Sequence, residues 1–173
     1  MKVATASLLL AALCSLFGWQ AASAPRAEQT SGPAPAAPPV PYPEGYREWA
    51  HVKSSLISPA HETYAVSGGF QHTYANAAAM QGYRTRNFPE GSVIVVDWLE
   101  MRDMDGTFVE GARRRIDVMV KDSLRYAATG GWGFQRFAGD SKTELAQSPT
   151  PQQCFACHNS LKKDGLVLGT YRP

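Results

Sequence analysis

Apolar and polar positions alternate most regularly in the second half of the chain. The turn chemistry of Phe88-Pro89-Glu90-Gly91 leads into Ser92-Val93-Ile94-Val95-Val96-Asp97-Trp98-Leu99, a β-branched run that predicts a strand over residues 92–99. Ile116, Val118 and Val120 take turns with Asp117, Met119 and Lys121, which predicts a second strand with one apolar face. Residues 68–74 and 132–137 predict two more. Helical signals are shorter. Tyr46, Trp49 and Val52 recur at near-helical spacing and predict a short amphipathic helix at the start of the domain. Asn76 can cap the helix-favouring Ala77-Ala78-Ala79-Met80. Residues 122–129 read as a helix closed by Gly130-Gly131. Thr150-Pro151 opens a last helix, with proline at its first position. The sum is an α+β fold, a mainly antiparallel β-sheet with a few short helices packed on it.

The amino terminus follows other rules. Residues 3–18 are almost wholly apolar or small, Lys2 precedes them and Ala22-Ser23-Ala24 follows, which is the pattern of a secretory signal cut after Ala24. The run is too short and too early for a membrane span. A lipoprotein signal would use Cys14, but Leu13 stands where such a signal wants a small residue. Seven of the twelve prolines lie between Pro25 and Pro43, so this stretch reads as an extended tether. The expected division is a signal peptide at 1–24, a Pro/Ala-rich disordered linker at 25–41 and one folded domain at 42–173. With 17 basic and 15 acidic side chains interspersed, no nucleic-acid footprint appears.

Chemistry enters with Cys154-Phe155-Ala156-Cys157-His158. Two thiols at this spacing suit addition to the two vinyl groups of a haem, and the adjacent imidazole suits the iron, so Cys154, Cys157 and His158 are the expected cofactor-binding residues and His158 the metal ligand. A thioredoxin-like couple would follow a strand in a βαβ unit, which the local sequence does not suggest. A zinc site would need two further ligands at short spacing, and Cys14, His51, His61 and His72 are scattered. One covalently bound haem c in the periplasm is the expectation, held by a C-terminal helix or loop. No methionine follows His158, as an electron-transfer cytochrome c would require. Four-helix haem proteins also carry the motif late, but they need four long amphipathic helices, and the middle of this chain is β-branched.

Taken together, these blocks resemble the cytochrome P-460 family, which includes cytochrome c′-β. The resemblance spans residues 42–172 and rests on Pro43-Glu44-Gly45-Tyr46-Arg47-Glu48-Trp49, on residues 69–76 with Tyr74-Ala75-Asn76, on Phe88-Pro89-Glu90-Gly91-Ser92-Val93, on Val118-Met119-Val120-Lys121-Asp122, on Gly130-Gly131-Trp132-Gly133-Phe134 and on the haem motif. It implies a β-sheet fold, one haem c with a proximal histidine, and a distal face open to nitric oxide, hydroxylamine or a related small molecule. A lysine that cross-links the porphyrin in the hydroxylamine oxidisers is replaced here by Val96, and no lysine lies between Lys53 and Lys121, so an ordinary haem c is implied and hydroxylamine oxidation is in doubt. The distal positions fall on Gln71 and Asp117, the expected catalytic residues.

The pocket can also be reasoned from the strands. His72 is the obvious internal sixth ligand, but neighbours on a strand point to opposite faces, so Gln71 and His72 cannot both face the iron. Phe70, Phe88 and Trp98 are candidate pocket walls. Met80, Met101, Met104 and Met119 read as core filler. Arg113-Arg114-Arg115 reads as a solvated strand end, with a haem propionate or a redox partner as the other reading. The function expected is binding of a small nitrogen or diatomic ligand, with or without redox turnover, and the alternative is a six-coordinate electron carrier. Partners compatible with this reading are the small ligand, a periplasmic redox protein and a second copy of the chain.

Overall fold

The β-branched run at 92–99 lies in the middle strand of a five-stranded antiparallel sheet. The computed structural model describes residues 38–146 and 148–173. The strands β1 (Ala50–Ile57), β2 (Gly69–Ala75), β3 (Val93–Met104), β4 (Thr107–Lys121) and β5 (Trp132–Ala138) lie side by side in chain order. Three short helices accompany them, α1 (Tyr64–Ser67), α2 (Ala77–Thr85) and α3 (Pro151–His158). The expected α+β class holds. The expected signal peptide, Cys14 and most of the linker lie outside the described residues. Packing begins before the expected boundary at residue 42, since Val40 is buried against the same cluster as Tyr46 and Val95.

Both helix starts read from the sequence form as their side chains dictate. Asn76 accepts from the Ala79 amide at 2.9 Å and from the Val93 amide at 3.0 Å, so one side chain caps α2 and anchors the entry of β3. Thr150 caps α3 in a reciprocal box with Gln153, and Pro151 takes the first position.

Two expected helices are not formed. Only Tyr46–Glu48 is helical at the domain start, as a single 3-10 turn, and β1 takes up the chain from Ala50. Tyr46 and Val52 are buried in different clusters, one on each side of the sheet, so their spacing is not one stripe. At 122–129 only Ala127–Thr129 is helical. The Asp122 carboxylate accepts from the Arg125 amide at 2.9 Å and closes a turn instead, leaving Leu124 95% exposed. The β3–β4 hairpin turns on Asp105 and Gly106, both at positive φ (54° and 85°), as a two-residue connection demands.

The sheet has two apolar faces. On the first, Ala75, Ile94, Met119 and Phe134 stand in register across β2 to β5 and pack with α2, Trp132, Leu166 and Val167. The next row along this face is Lys53, Thr73, Val96, Asp117 and Arg136. On the second face, Val95, Ile116, Val118 and Phe137 pack with Val40, Tyr46 and Tyr126. Trp98 pairs with Arg115 but Leu99 pairs with Arg113, so Arg114 is an extra residue in β4. That bulge sends Arg113 and Arg115 to opposite faces, where strict alternation would keep them together.

Candidate functional site

A cavity of about 550 Å³ opens on the first face, walled by the sheet, α3 and the C-terminal segment. Cys154 and Cys157, three residues apart on α3, share one side of the helix and both line it. Among the described residues both thiols are free. Burial pushes the Cys154 thiol above its ordinary value, with Asp117 adding to the rise and Arg136 opposing it.

His158, the last residue of α3, lines the same cavity with its ring 5.1 Å from that of Phe134. Its Nδ1 stands 2.7 Å from the Leu166 carbonyl oxygen. A carbonyl can only accept, so Nδ1 carries the proton and Nε2 keeps a free lone pair, the tautomer a metal needs. The carbonyl is aimed by an unusual backbone. Leu166 is left-handed at φ 66°, after Gly165 at φ 70°. The turn is tied by the Leu166 amide donating to Leu161 at 3.1 Å and by the Trp132 indole donating to Gly165 at 3.1 Å. A side chain on Gly165 would meet the Phe88 ring at 2.8 Å. A left-handed non-glycine backbone held in place by several contacts is a form of strain that clusters at functional sites.

Gln71, Val96 and Asp117 all line the cavity with the haem-motif residues. Gln71 Nε2 donates to the Ser67 carbonyl at 3.2 Å. Asp117 is no isolated carboxylate. Arg136 Nε reaches its Oδ1 at 2.5 Å and Nη2 its Oδ2 at 2.8 Å, a side-on bidentate pair, while Arg115 Nε stands 3.5 Å from Oδ2. Burial works against the Arg136 charge, but the Asp117 bonds outweigh it and raise Arg136 above its ordinary value. Burial prevails at Arg115 and lowers it to about 10, which still leaves it charged at neutral pH. Arg115 lies 3.7 Å above the Trp98 ring and donates to the Val66 carbonyl at 3.0 Å.

His72 points away, as the strand argument requires if Gln71 faces the cavity. It stacks on Phe70, meets Ser54 Oγ at 2.6 Å and stands 2.8 Å from Glu110. Phe70 therefore walls nothing, and Phe88 is core against Tyr83 and Trp132. Of the three aromatic candidates, Trp98 alone lines the cavity. Met80 is core, Met119 is buried and lines the cavity, and Met104 is 63% exposed, not filler. The arginine run is not a solvated strand end. Arg113 reaches Asp97, Arg114 donates to Gly68 and Ala65, and Arg115 is held as described.

Sequence reasoning missed Arg136, Lys53 and Tyr83, all of which line the cavity. A signal for Arg136 existed. Asp117 and Arg136 each place a charge among apolar neighbours in adjacent strands, and opposite charges in that position pair across a sheet. Two buried donors in the wall, the Tyr83 hydroxyl and the Trp98 indole N–H, have no hydrogen-bond partner among the described residues. Burial pushes the Tyr83 hydroxyl up to about 12, so it stays protonated. A cavity of this size, two thiols, an oriented imidazole and orphaned donors fit a metalloporphyrin.

A family model described as Cytochrome P460 matches residues 43–168, from the first 3-10 turn through the segment that carries the Leu166 carbonyl. No curated protein matches the chain.

Proposed function

Because the chain belongs to the cytochrome P460 family, we propose that it is an exported, mono-haem c-type cytochrome that binds nitric oxide or a related small nitrogen ligand. The observation that carries this reading is the convergence, in one cavity, of Cys154, Cys157 and the oriented His158 with Gln71, Val96 and Asp117. Cys154 and Cys157 would hold the porphyrin by thioether bonds, and His158 would give Nε2 to the iron. Haem, when bound, supplies an iron that takes up a small ligand and exchanges an electron.

The chain's own residues do the rest. The Leu166 carbonyl keeps the His158 proton on Nδ1 and fixes the ring. Gln71 offers the amide hydrogen not given to Ser67 to a ligand in the cavity. Both oxygens of Asp117 are engaged by Arg136, so Asp117 is assigned to position Arg136 and not to take a proton. The Nη1 group of Arg136 meets no acceptor among the described residues, and it is the cation Asp117 would present. Val96 puts an aliphatic side chain where the family's hydroxylamine oxidisers carry lysine, which favours binding over hydroxylamine oxidation. Export to the periplasm rests on Lys2, the apolar run and Ala22-Ser23-Ala24.

The electron-carrier reading has one foothold, Met119, whose side chain is buried beside Phe134 and lines the cavity. One spectrum separates the two. Ferrous protein should be five-coordinate and high-spin and should shift on adding nitric oxide. A six-coordinate, low-spin ferrous spectrum unmoved by nitric oxide would replace the proposal with a carrier. The intact mass should equal one haem added to the chain starting at Pro25.

A further inference from the structure

We propose that the end of the cavity beside the C-terminal segment receives a carboxylate or comparable small oxyanion, bound by the Lys53 ammonium and the Tyr83 hydroxyl. The inference rests on the haem reading of the same cavity.

Lys53 belongs to β1, an edge strand whose neighbouring Ser54 and Ser55 are exposed, yet it turns onto the cavity face opposite Thr73. Among the described residues its ammonium meets neither a carboxylate within ion-pair distance nor a hydrogen-bond acceptor. A lysine at a sheet edge ordinarily extends its charge into water, so an ammonium turned inward without a counter-charge is a site awaiting an anion. Tyr83, on α2, is only 5% exposed and lines the same cavity, and its hydroxyl has no hydrogen-bond partner among the described residues. A buried hydroxyl is normally satisfied, so the missing acceptor belongs to something that enters the cavity.

Gly169 joins the two groups. It is left-handed at φ 78°, and any side chain there would collide with the Lys53 ammonium, so the segment leaves the space the lysine occupies. The Gly169 carbonyl accepts from Arg86 Nη1 at 3.1 Å, and the Arg86 charge also acts on the Tyr83 hydroxyl. Arg86 is itself paired with Asp164 at 3.2 Å. The opposite end of the cavity differs, because there Arg136 and Arg115 share the Asp117 carboxylate, whereas no carboxylate among the described residues stands against Lys53. Lys53 is therefore a cation with no ion-pair partner of its own among the described residues. A point charge and a neutral O–H donor suit an oxyanion, whose two oxygens accept from both. The anion could be a propionate of the haem or a dissolved carboxylate.

The test uses the exported holoprotein and the variants Lys53→Met and Tyr83→Phe, with midpoint potential followed from pH 4 to 8 and formate titrated into the ferric Soret band. If the site holds a haem propionate, the pH-dependent part of the potential moves upward by about one pH unit or more in Lys53→Met and by less in Tyr83→Phe, with formate unaffected. If it holds a dissolved oxyanion, the potential profile stays and the formate dissociation constant rises roughly tenfold in Lys53→Met. Haem-loaded variants that match the parent in both readouts would overturn the inference and leave the haem reading standing. A mass without added haem would overturn both.

Discussion

Asp97 and Asp117 invite comparison. Each interrupts an apolar strand, each is gripped by arginines, and they lie on neighbouring strands on opposite faces of one sheet. Asp97 is fully buried. Tyr46 donates to it at 2.8 Å, Arg47 at 2.9 and 3.1 Å, and Arg113 at 2.7 and 3.3 Å; Arg113 also bonds Asp140. Asp117 keeps 27% of its side chain exposed and faces a cavity. Carboxylate–arginine chemistry alone does not separate them. What separates them is the space in front. Around Asp97 every direction is protein, so its network ties the domain's first turn to β3 and β4. Around Asp117 one direction is open, so a similar network presents a cation to whatever enters.

The largest expected effect breaks the buried member. Asp97→Asn removes the charge that Arg113, Arg47 and Tyr46 surround, and unfolding in denaturant should show a loss of about 3–5 kcal/mol. A loss near zero would mean the two clusters are alike after all. Acid gives a milder version. Burial alone would raise the Asp97 pKa, but the Arg113, Tyr46 and Arg47 bonds and the Arg113 charge prevail and lower it. A depressed carboxyl contributes stability that is fully present above its unfolded value of about 3.9 and is lost as pH falls through the folded value. Thermal midpoints of the parent should therefore fall below about pH 4, and those of Asp97→Asn should fall less steeply over the same interval. The smallest effect on stability belongs to Asp117→Asn, about 1 kcal/mol or less, because the carboxylate itself keeps 27% of its side chain exposed, where Asp97 keeps none. That variant should instead alter nitric oxide dissociation from the ferrous protein severalfold, with Arg136→Leu doing the same. A stability loss equal to that of Asp97→Asn with unchanged dissociation would erase the contrast.

Legibility in the sequence followed the strength of local forces. Strands β3 and β4 were readable because Val93 to Val96 and the alternation around Val118 are strong local preferences, and the α2 and α3 starts because Asn76 and Thr150 act on amides within three residues. Strand β1 was not readable. Its residues Ala50-His51-Val52-Lys53-Ser54-Ser55-Leu56-Ile57 are mostly exposed at an edge, and a bulge at Val52 breaks their alternation. Asp105-Gly106 carries a local hairpin-turn signal, and both residues take the positive φ it demands. For the site, the cysteines and His158 are contiguous and announced themselves. Arg136 and Lys53 reach the cavity only through register, which depends on long-range pairing. Asp97 looked like one polar residue in a strand until Tyr46 and Arg113 were brought beside it.

The extra residue at Arg114 works like a frame shift within the sheet. A second irregularity, where Leu99–Arg113 is followed by Met101–Glu110, restores the step, so the outer hairpin regains its original phase. Between the two lies a short out-of-step interval that lets one run of three arginines serve both faces. Substituting one arginine would weaken one network. Deleting one residue there would leave the second irregularity uncompensated and turn the outer part of the hairpin over. This short stretch of β4 should therefore tolerate changes of identity far better than changes of length.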